Sequence, residues 1–310
     1  SDLYKGIRHA KAGRNKLAEE SYKNVLSKDN KNVDALRLLG LLAFKNNNHD
    51  IAEKLLIRAI QLDPYFHLLW DNLAKVFRVQ NKLEESKKAF ENLIKLDPKN
   101  NEAFVALGTI YNKLAQYKDG INSYKKALKL NDNNARVYLS MGHALKTLGN
   151  RKECEDSYLK AIKLFPLSGE GYWSLANLKT YTFNENQIQA MKSAIKEDMH
   201  EQEKIQMMFA LAKANESNKN FQESFKYYRD GNWMQRKTVE YNAEENKTYA
   251  SINTENHSME NFISVEGNAY FSPNVSRLSQ DGGHLDVTIK NPSQLFDGVV
   301  EQDDENLEFN

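Results

Sequence analysis

A single cysteine, Cys154, excludes any disulfide framework within this 310-residue chain. No apolar run approaches the ~18 residues that a membrane span needs. The opening Ser1-Asp2-Leu3-Tyr4 has neither the charged nor the apolar region of a secretory signal, and the absent initiator Met reads as a fragment or processed product. A soluble, cytoplasmic protein is the expectation. Net charge is nearly absent as well, at +1, yet the balance hides a division. Residues 1–238 hold 40 Lys+Arg against 28 Asp+Glu, whereas residues 239–310 hold 3 against 14. A basic body is therefore followed by an acidic tail. Hydrophobic residues make up 40% of the chain, enough to build a core in the body.

What is present is repetition. Shifting the sequence on itself by 34 residues gives five gapless units: 1–32 (two residues short), 33–66, 67–100, 101–134 and 135–168. In each full unit an apolar residue precedes a small one: Leu39-Gly40, Leu73-Ala74, Leu107-Gly108, Met141-Gly142. The small residue predicts close approach of two helices. Later in each unit a small residue precedes a bulky one by four: Ala18/Tyr22, Ala52/Leu56, Ser86/Phe90, Gly120/Tyr124, Cys154/Tyr158. A spacing of four puts both on one helical face. Units close with Asp63-Pro64, Asp97-Pro98, Asn131-Asp132 and Phe165-Pro166, where proline or turn chemistry stops the helix.

This pattern resembles the tetratricopeptide repeat (TPR) family over residues 1–168. The resemblance implies an all-α superhelix in which first helices line a concave face, because one helical hairpin cannot bury its apolar face without neighbours. Past residue 168 the period breaks while the helical pattern continues. Residues 169–181 predict a first helix on Tyr172, Leu175 and Ala176, with a partner over about 185–198 displaced by Thr182-Phe183-Asn184. A further pair is predicted at about 201–217 and 220–236, where Leu211, Ala212, Phe221, Ser224 and Tyr228 restore the phase. The body is thus expected to hold about seven hairpins, with 169–238 the divergent part. In the Gly slot, Gly108 is expected to accept alanine but not leucine.

A narrower resemblance rests on Tyr172-Trp-Ser-Leu-Ala-Asn-Leu-Lys-Thr-Tyr-Thr-Phe183, Met208-Phe-Ala-Leu-Ala-Lys-Ala214 and Phe225-Lys-Tyr-Tyr-Arg-Asp-Gly-Asn232. This wording is similar to the last repeats of bacterial TPR–sulfotransferase proteins. That family would place a sulfotransferase domain next, with a phosphate loop for 3′-phosphoadenosine 5′-phosphosulfate. Nothing in residues 239–310 matches such a loop, so the resemblance implies a non-catalytic, acceptor-recruiting portion.

Other chemistry fails on spacing. His284-Leu285-Asp286 has the His-x-Asp interval of an iron triad but no second histidine follows it. His49, His67, His143 and His200 lie in separate units, so no metal site is expected. Cys154 occupies a small-residue slot and reads as a buried packing thiol. Asn246-Lys247-Thr248, Asn256-His257-Ser258 and Asn274-Val275-Ser276 fit the glycosylation pattern by coincidence in an Asn-rich chain. Aromatics fall in repeat-core slots, which argues against a nucleic-acid stacking platform. No catalytic residue, cofactor or enzyme activity is expected.

The expected function is protein or peptide binding in the concave groove, with an acidic partner favoured by the basic body. Counting by phase places Arg37, Asp71, Asn72, Lys75, Arg78, Thr109, Asn112, Lys113, Arg136, His143, Lys146, Trp173 and Asn177 on that face. The bland alternative is an ordinary solvated helix face. Against the carboxylate clamp of chaperone-binding TPR domains, the corresponding slots Arg37, Leu41, Asn72, Glu102 and Ala106 match poorly. The asparagine run of O-linked N-acetylglucosamine transferases is also incomplete, with Leu38, Asn72, Ala106 and Ser140 at its phase. A weaker alternative is an RNA- or polyanion-binding adaptor. In the tail, residues 239–262 read as a polar linker and 263–310 as an unassigned segment with one or two short strands and an acidic end. Two roles stay open for Glu301–Glu308: competing with an acidic partner for Lys113, Arg136 and Lys146, or keeping a basic protein soluble. The sequence names neither the partner nor an oligomeric state.

Overall fold

A computed structural model describes residues 1–178 and 181–238. The chain divides into a compact unit, Ser1–Val239, and a second, Glu240–Asn310. The linker, the expected strands, His284-Leu285-Asp286, the three Asn-x-Ser/Thr motifs and the acidic end all lie outside the described residues. Fourteen α-helices and no strand occur among the described residues. None of these helices is long and apolar enough to cross a membrane.

The five regular units are helical hairpins: α1 (Asp2–Lys11) with α2 (Asn15–Lys28), α3 (Val33–Lys45) with α4 (His49–Leu62), α5 (His67–Val79) with α6 (Leu83–Leu96), α7 (Asn101–Lys113) with α8 (Tyr117–Leu130), and α9 (Ala135–Thr147) with α10 (Arg151–Leu164). Each second helix packs on the first helix of the next unit. Caps repeat with the period: the side chains of Asn32, Asn100 and Asn134 accept from the backbone N–H three residues on and fix where α3, α7 and α9 begin. The turns repeat too. Gly13, Asn47, Asn81, Ala115 and Gly149, each 34 residues apart, hold left-handed backbone angles, φ +57° to +75°. Glycine and asparagine reach this region cheaply; Ala115 does so against its side chain.

The small/bulky pairs of the second helices are all buried, from Ala18 and Tyr22 to Cys154 and Tyr158. Burial pushes the Cys154 thiol above its ordinary pKa, as expected of an inert packing cysteine. The Gly slot is tighter than the sequence suggests. A Cβ on Gly108 would lie 2.6 Å from Cε1 of Tyr124. Alanine is therefore not freely accepted there, contrary to the expectation above. The ring lies flat on the glycine because its hydroxyl is tied to Thr109 and Asn112. Gly6 and Gly142 meet Tyr22 and Tyr158 in the same way, whereas at Gly40 the neighbour is Leu56, 3.1 Å from such a Cβ.

The divergent region keeps helices but changes their partners. Its helices are α11 (Gly169–Ala176), α12 (Glu185–Ala194), α13 (Glu201–Ser217) and α14 (Phe221–Thr238). α11 is five residues shorter than the predicted first helix and packs on α13 rather than forming a hairpin with α12. Two contacts explain this. A Cβ on Gly169 would run into the backbone carbonyl of Glu203, so glycine lets α13 come that close. The Glu203 carboxylate also accepts from the Glu170 backbone N–H at 3.1 Å. Phe183, buried against Tyr172 and Tyr181, fills the space beside α12. α13 and α14 form a hairpin with Leu211, Ala212 and Ser224 buried, but Phe221 is 64% exposed and serves no core slot. The slot that carries the apolar contact to the next hairpin, filled by Leu26, Ile60, Ile94, Leu128 and Ile162, is Asn232 in α14.

Candidate binding groove

Contacts of α1 with α3, α3 with α5 and α7 with α9 set the first helices side by side. The phase-selected residues lie on these helices, and they divide into three groups by what they touch.

The first group is committed within the chain. The Arg37 guanidinium sits over the Phe66 ring at 5.5 Å and pairs with Asp34 at 3.6 Å, leaving its side chain 18% exposed. Lys75 pairs with Asp71 at 2.6 Å one turn earlier. Thr109 donates to the Val105 carbonyl. Asn112 turns into its own hairpin, donating weakly to the Tyr124 hydroxyl at 3.4 Å and placing Oδ1 where a Cβ on Gly120 would sit. The Trp173 ring packs on Phe209 with centroids 5.6 Å apart, and Asn177 caps the C-terminus of α11.

The second group is a relay across the α9–α11 junction. The Tyr158 hydroxyl and Nδ1 of His143 are 2.9 Å apart, and Nε2 of His143 is 3.1 Å from Oε1 of Glu170. One tautomer satisfies all three groups: Tyr158 donates to Nδ1, and Nε2–H donates to the carboxylate. The hydrogen bond from His143, reinforced by the charge of Arg136, holds the Glu170 carboxyl below its ordinary pKa. Burial pushes the Tyr158 phenol well above the usual range. Tyr158 is fully buried, and the relay ties α9 and α10 to the start of α11. Sequence counting found His143 but not its partners. The period could have supplied Glu170, which follows Glu102 and Arg136 at intervals of 34.

The third group is exposed. Arg78, Lys113, Arg136 and Lys146 form no ion pair among the described residues. Phase counting passed over two apolar residues, Val105 and Leu139, which share the phase of Arg37, Asp71 and Trp173; Leu139 is buried in the core and Val105 packs against it. Asn72 belongs to none of these groups. It is 9% exposed, and its Nδ2 finds no acceptor within the chain; Nε of Arg37 and Oδ1 of Asn112 are likewise unmatched. No cluster of three or more metal-ligating side chains occurs among the described residues.

Three family models cover the regular units: a tetratricopeptide repeat model at residues 9–75, a TPR repeat model at 108–149, and a second tetratricopeptide repeat model at 68–100 and 135–166. The chain carries tetratricopeptide repeats. Two crystal structures of MamA share the TPR fold, one at 24% identity and TM-score 0.50, covering 51% of this chain and 93% of MamA. The other has 22% identity and TM-score 0.51 and covers 55% and 92%. No curated protein matches the sequence. None of the three TPR models is a sulfotransferase model, and nothing in the fold adds to that narrower resemblance.

Proposed function

We propose that the first-helix face of this TPR array binds an extended segment of another polypeptide. One observation carries the reading. Asn72, on α5, keeps an amide donor with no partner inside the chain, and within the phase-selected set Nε of Arg37 and Oδ1 of Asn112 are unmatched as well. An unmatched buried donor costs about 1–3 kcal/mol, and native chains retain few of them. A rotation of the Asn72 amide toward the groove would let it donate to a backbone carbonyl of a bound segment, as peptide recognition by main-chain hydrogen bonds requires. The unmatched Nε of Arg37 lies on the neighbouring first helix at a related phase and adds a second donor.

The test selects a displayed library of random peptides on the full chain and then measures the enriched peptides against Asn72→Leu. Leucine removes the amide without opening a cavity, so the melting temperature should hold or rise while peptide affinity falls about five- to tenfold, the worth of one hydrogen bond. Enrichment of no peptide, or equal affinity for the variant, overturns the proposal.

A further inference from the structure

We infer that the outer face of α14 is a docking surface for a helix of another protein, one with large apolar residues at i, i+3 and i+7 and carboxylates beside them. The hairpin of α13 and α14 keeps the register of the regular units. Lys219 repeats the left-handed turn residue, at φ +59°, and the Asn220 N–H donates to the Asn215 carbonyl as Lys82 does to Phe77. Counted from that turn, Phe225, Arg229, Asn232 and Trp233 of α14 hold the phases of Lys87, Glu91, Ile94 and Lys95 of α6. α14 is the last helix among the described residues.

In α6 those phases hold the following helix. Lys87 lies over the Tyr111 ring of α7 at 5.9 Å, and Glu91 accepts from the Tyr111 hydroxyl at 3.0 Å. Ile94 and Lys95 line a cavity of about 360 Å³ together with Phe104, Leu107 and Tyr111. Ile121, at the phase of Phe225, is buried in the core. In α14, by contrast, Phe225 is 59% exposed and Trp233 61%, with Phe221 one turn earlier at 64%. The opposite end of the array is finished differently. There α1 puts Asp2, Lys5 and His9 at the phases of Phe104, Leu107 and Tyr111, which suits water. Terminal repeats need a polar outer face of this kind, and α14 keeps three exposed aromatic rings in its place.

The occupant follows from the repeats and from charge. At the interior junctions a helix fills this place, with apolar residues at i, i+3 and i+7: Trp70, Leu73 and Phe77 in α5, and Tyr138, Met141 and Leu145 in α9. α14 carries Lys226, Arg229, Arg236 and Lys237 against only Glu223 and Asp230, so carboxylates on the partner complete the match. One of these cations already borders the rings, with Lys237 over Trp233 at 3.3 Å. A second copy fits poorly. Its α14 would repeat the excess of cations, and its α1 would offer Asp2, Lys5 and His9. The face uses no groove residue, so this inference and the groove reading fail separately.

Fluorescence anisotropy with the full chain tests it. The probe is a labelled helical peptide of about 18 residues, with Phe, Leu and Tyr at i, i+3 and i+7 and Glu on both flanks. Two comparison peptides replace every Glu by Lys, or the three apolar residues by Ser. The Glu-flanked probe should bind, and more weakly as salt rises. Phe225→Ser with Trp233→Ser should lower affinity ~tenfold or more, as loss of aromatic anchors does, while the melt stays unchanged because both rings are exposed. Asn232→Leu restores the apolar slot and should tighten binding ~threefold or more. Asn72→Leu should leave binding of this probe intact. Absence of binding, equal binding of either comparison peptide, an unaffected double variant, no gain in Asn232→Leu, or a dimer of the free chain that the double variant dissolves would each overturn the inference.

Discussion

Replacing Gly108 by alanine opposes two effects whose sizes can be compared. Alanine is the better helix former by about 1 kcal/mol in a helix interior. The added Cβ, however, would sit 2.6, 2.7 and 3.0 Å from three atoms of the Tyr124 ring. Ordinary carbon contacts need roughly 3.5–4.0 Å, so the ring must retreat by about 1 Å. Tyr124 is 1% exposed in the packed core, and its hydroxyl is bonded to Thr109 and approached by Asn112, so retreat disturbs packing and hydrogen bonds together. Overpacking of this kind costs about 1–3 kcal/mol. The net expectation is a loss of about 1 kcal/mol, seen as a fall of ~2–4 °C in melting temperature. The same substitution in a Tyr124→Leu background recreates the looser Gly40/Leu56 arrangement. There the clash term should largely vanish and Gly108→Ala should be neutral or stabilising. A double-mutant cycle by thermal melting measures this coupling. Gly108→Ala melting at or above wild type, or shifting both backgrounds equally, refutes the assignment of the slot.

Other expectations follow from single residues. Ala115→Gly should raise stability by ~0.5 kcal/mol, because relief of the left-handed backbone at φ +57° exceeds the entropy cost of glycine; a lower denaturant midpoint would contradict this. Gly169→Ala should cost more than Gly108→Ala, since the obstacle is the Glu203 backbone and not a ring that can tilt; melts of the two single variants rank them. The depressed pKa of Glu170 gives a stabilising contribution that is present above its ordinary value of 4.5 and lost as pH falls through and below it. With both side chains nearly half exposed, that contribution is modest, ~0.2–1 kcal/mol, and Glu170→Gln should flatten this part of the pH–stability curve. Cys154, buried with its thiol pushed up in pKa, should react with a thiol reagent only after denaturation; fast reaction of the native chain would place it elsewhere.

The period of 34 made the hairpins and core slots legible, because each slot is a local choice repeated with a fixed phase. It could not give clearances. Whether Gly108 has room for a methyl depends on the pose of the Tyr124 ring, which Thr109 and Asn112 fix from the other helix. Nor could it give the α11–α13 contact, which joins residues more than thirty apart through one glycine and one carboxylate.

The groove was half legible for a related reason. Phase assigns a side chain to a helix face, but the face is shared with the partner helix at its margins. Asn112 lies at such a margin. Its direction is decided by Gly120, where the other regular units carry Ala18, Ala52, Ser86 and Cys154. A side chain larger than hydrogen at 120 would occupy the position of the Asn112 Oδ1 and force the amide outward. The same phase that places Arg78 and Lys146 in solvent therefore places Asn112 in the α7–α8 interface. What sends it there is the residue eight positions later, so the groove of an array like this is read from pairs of phases, one on each helix of the hairpin.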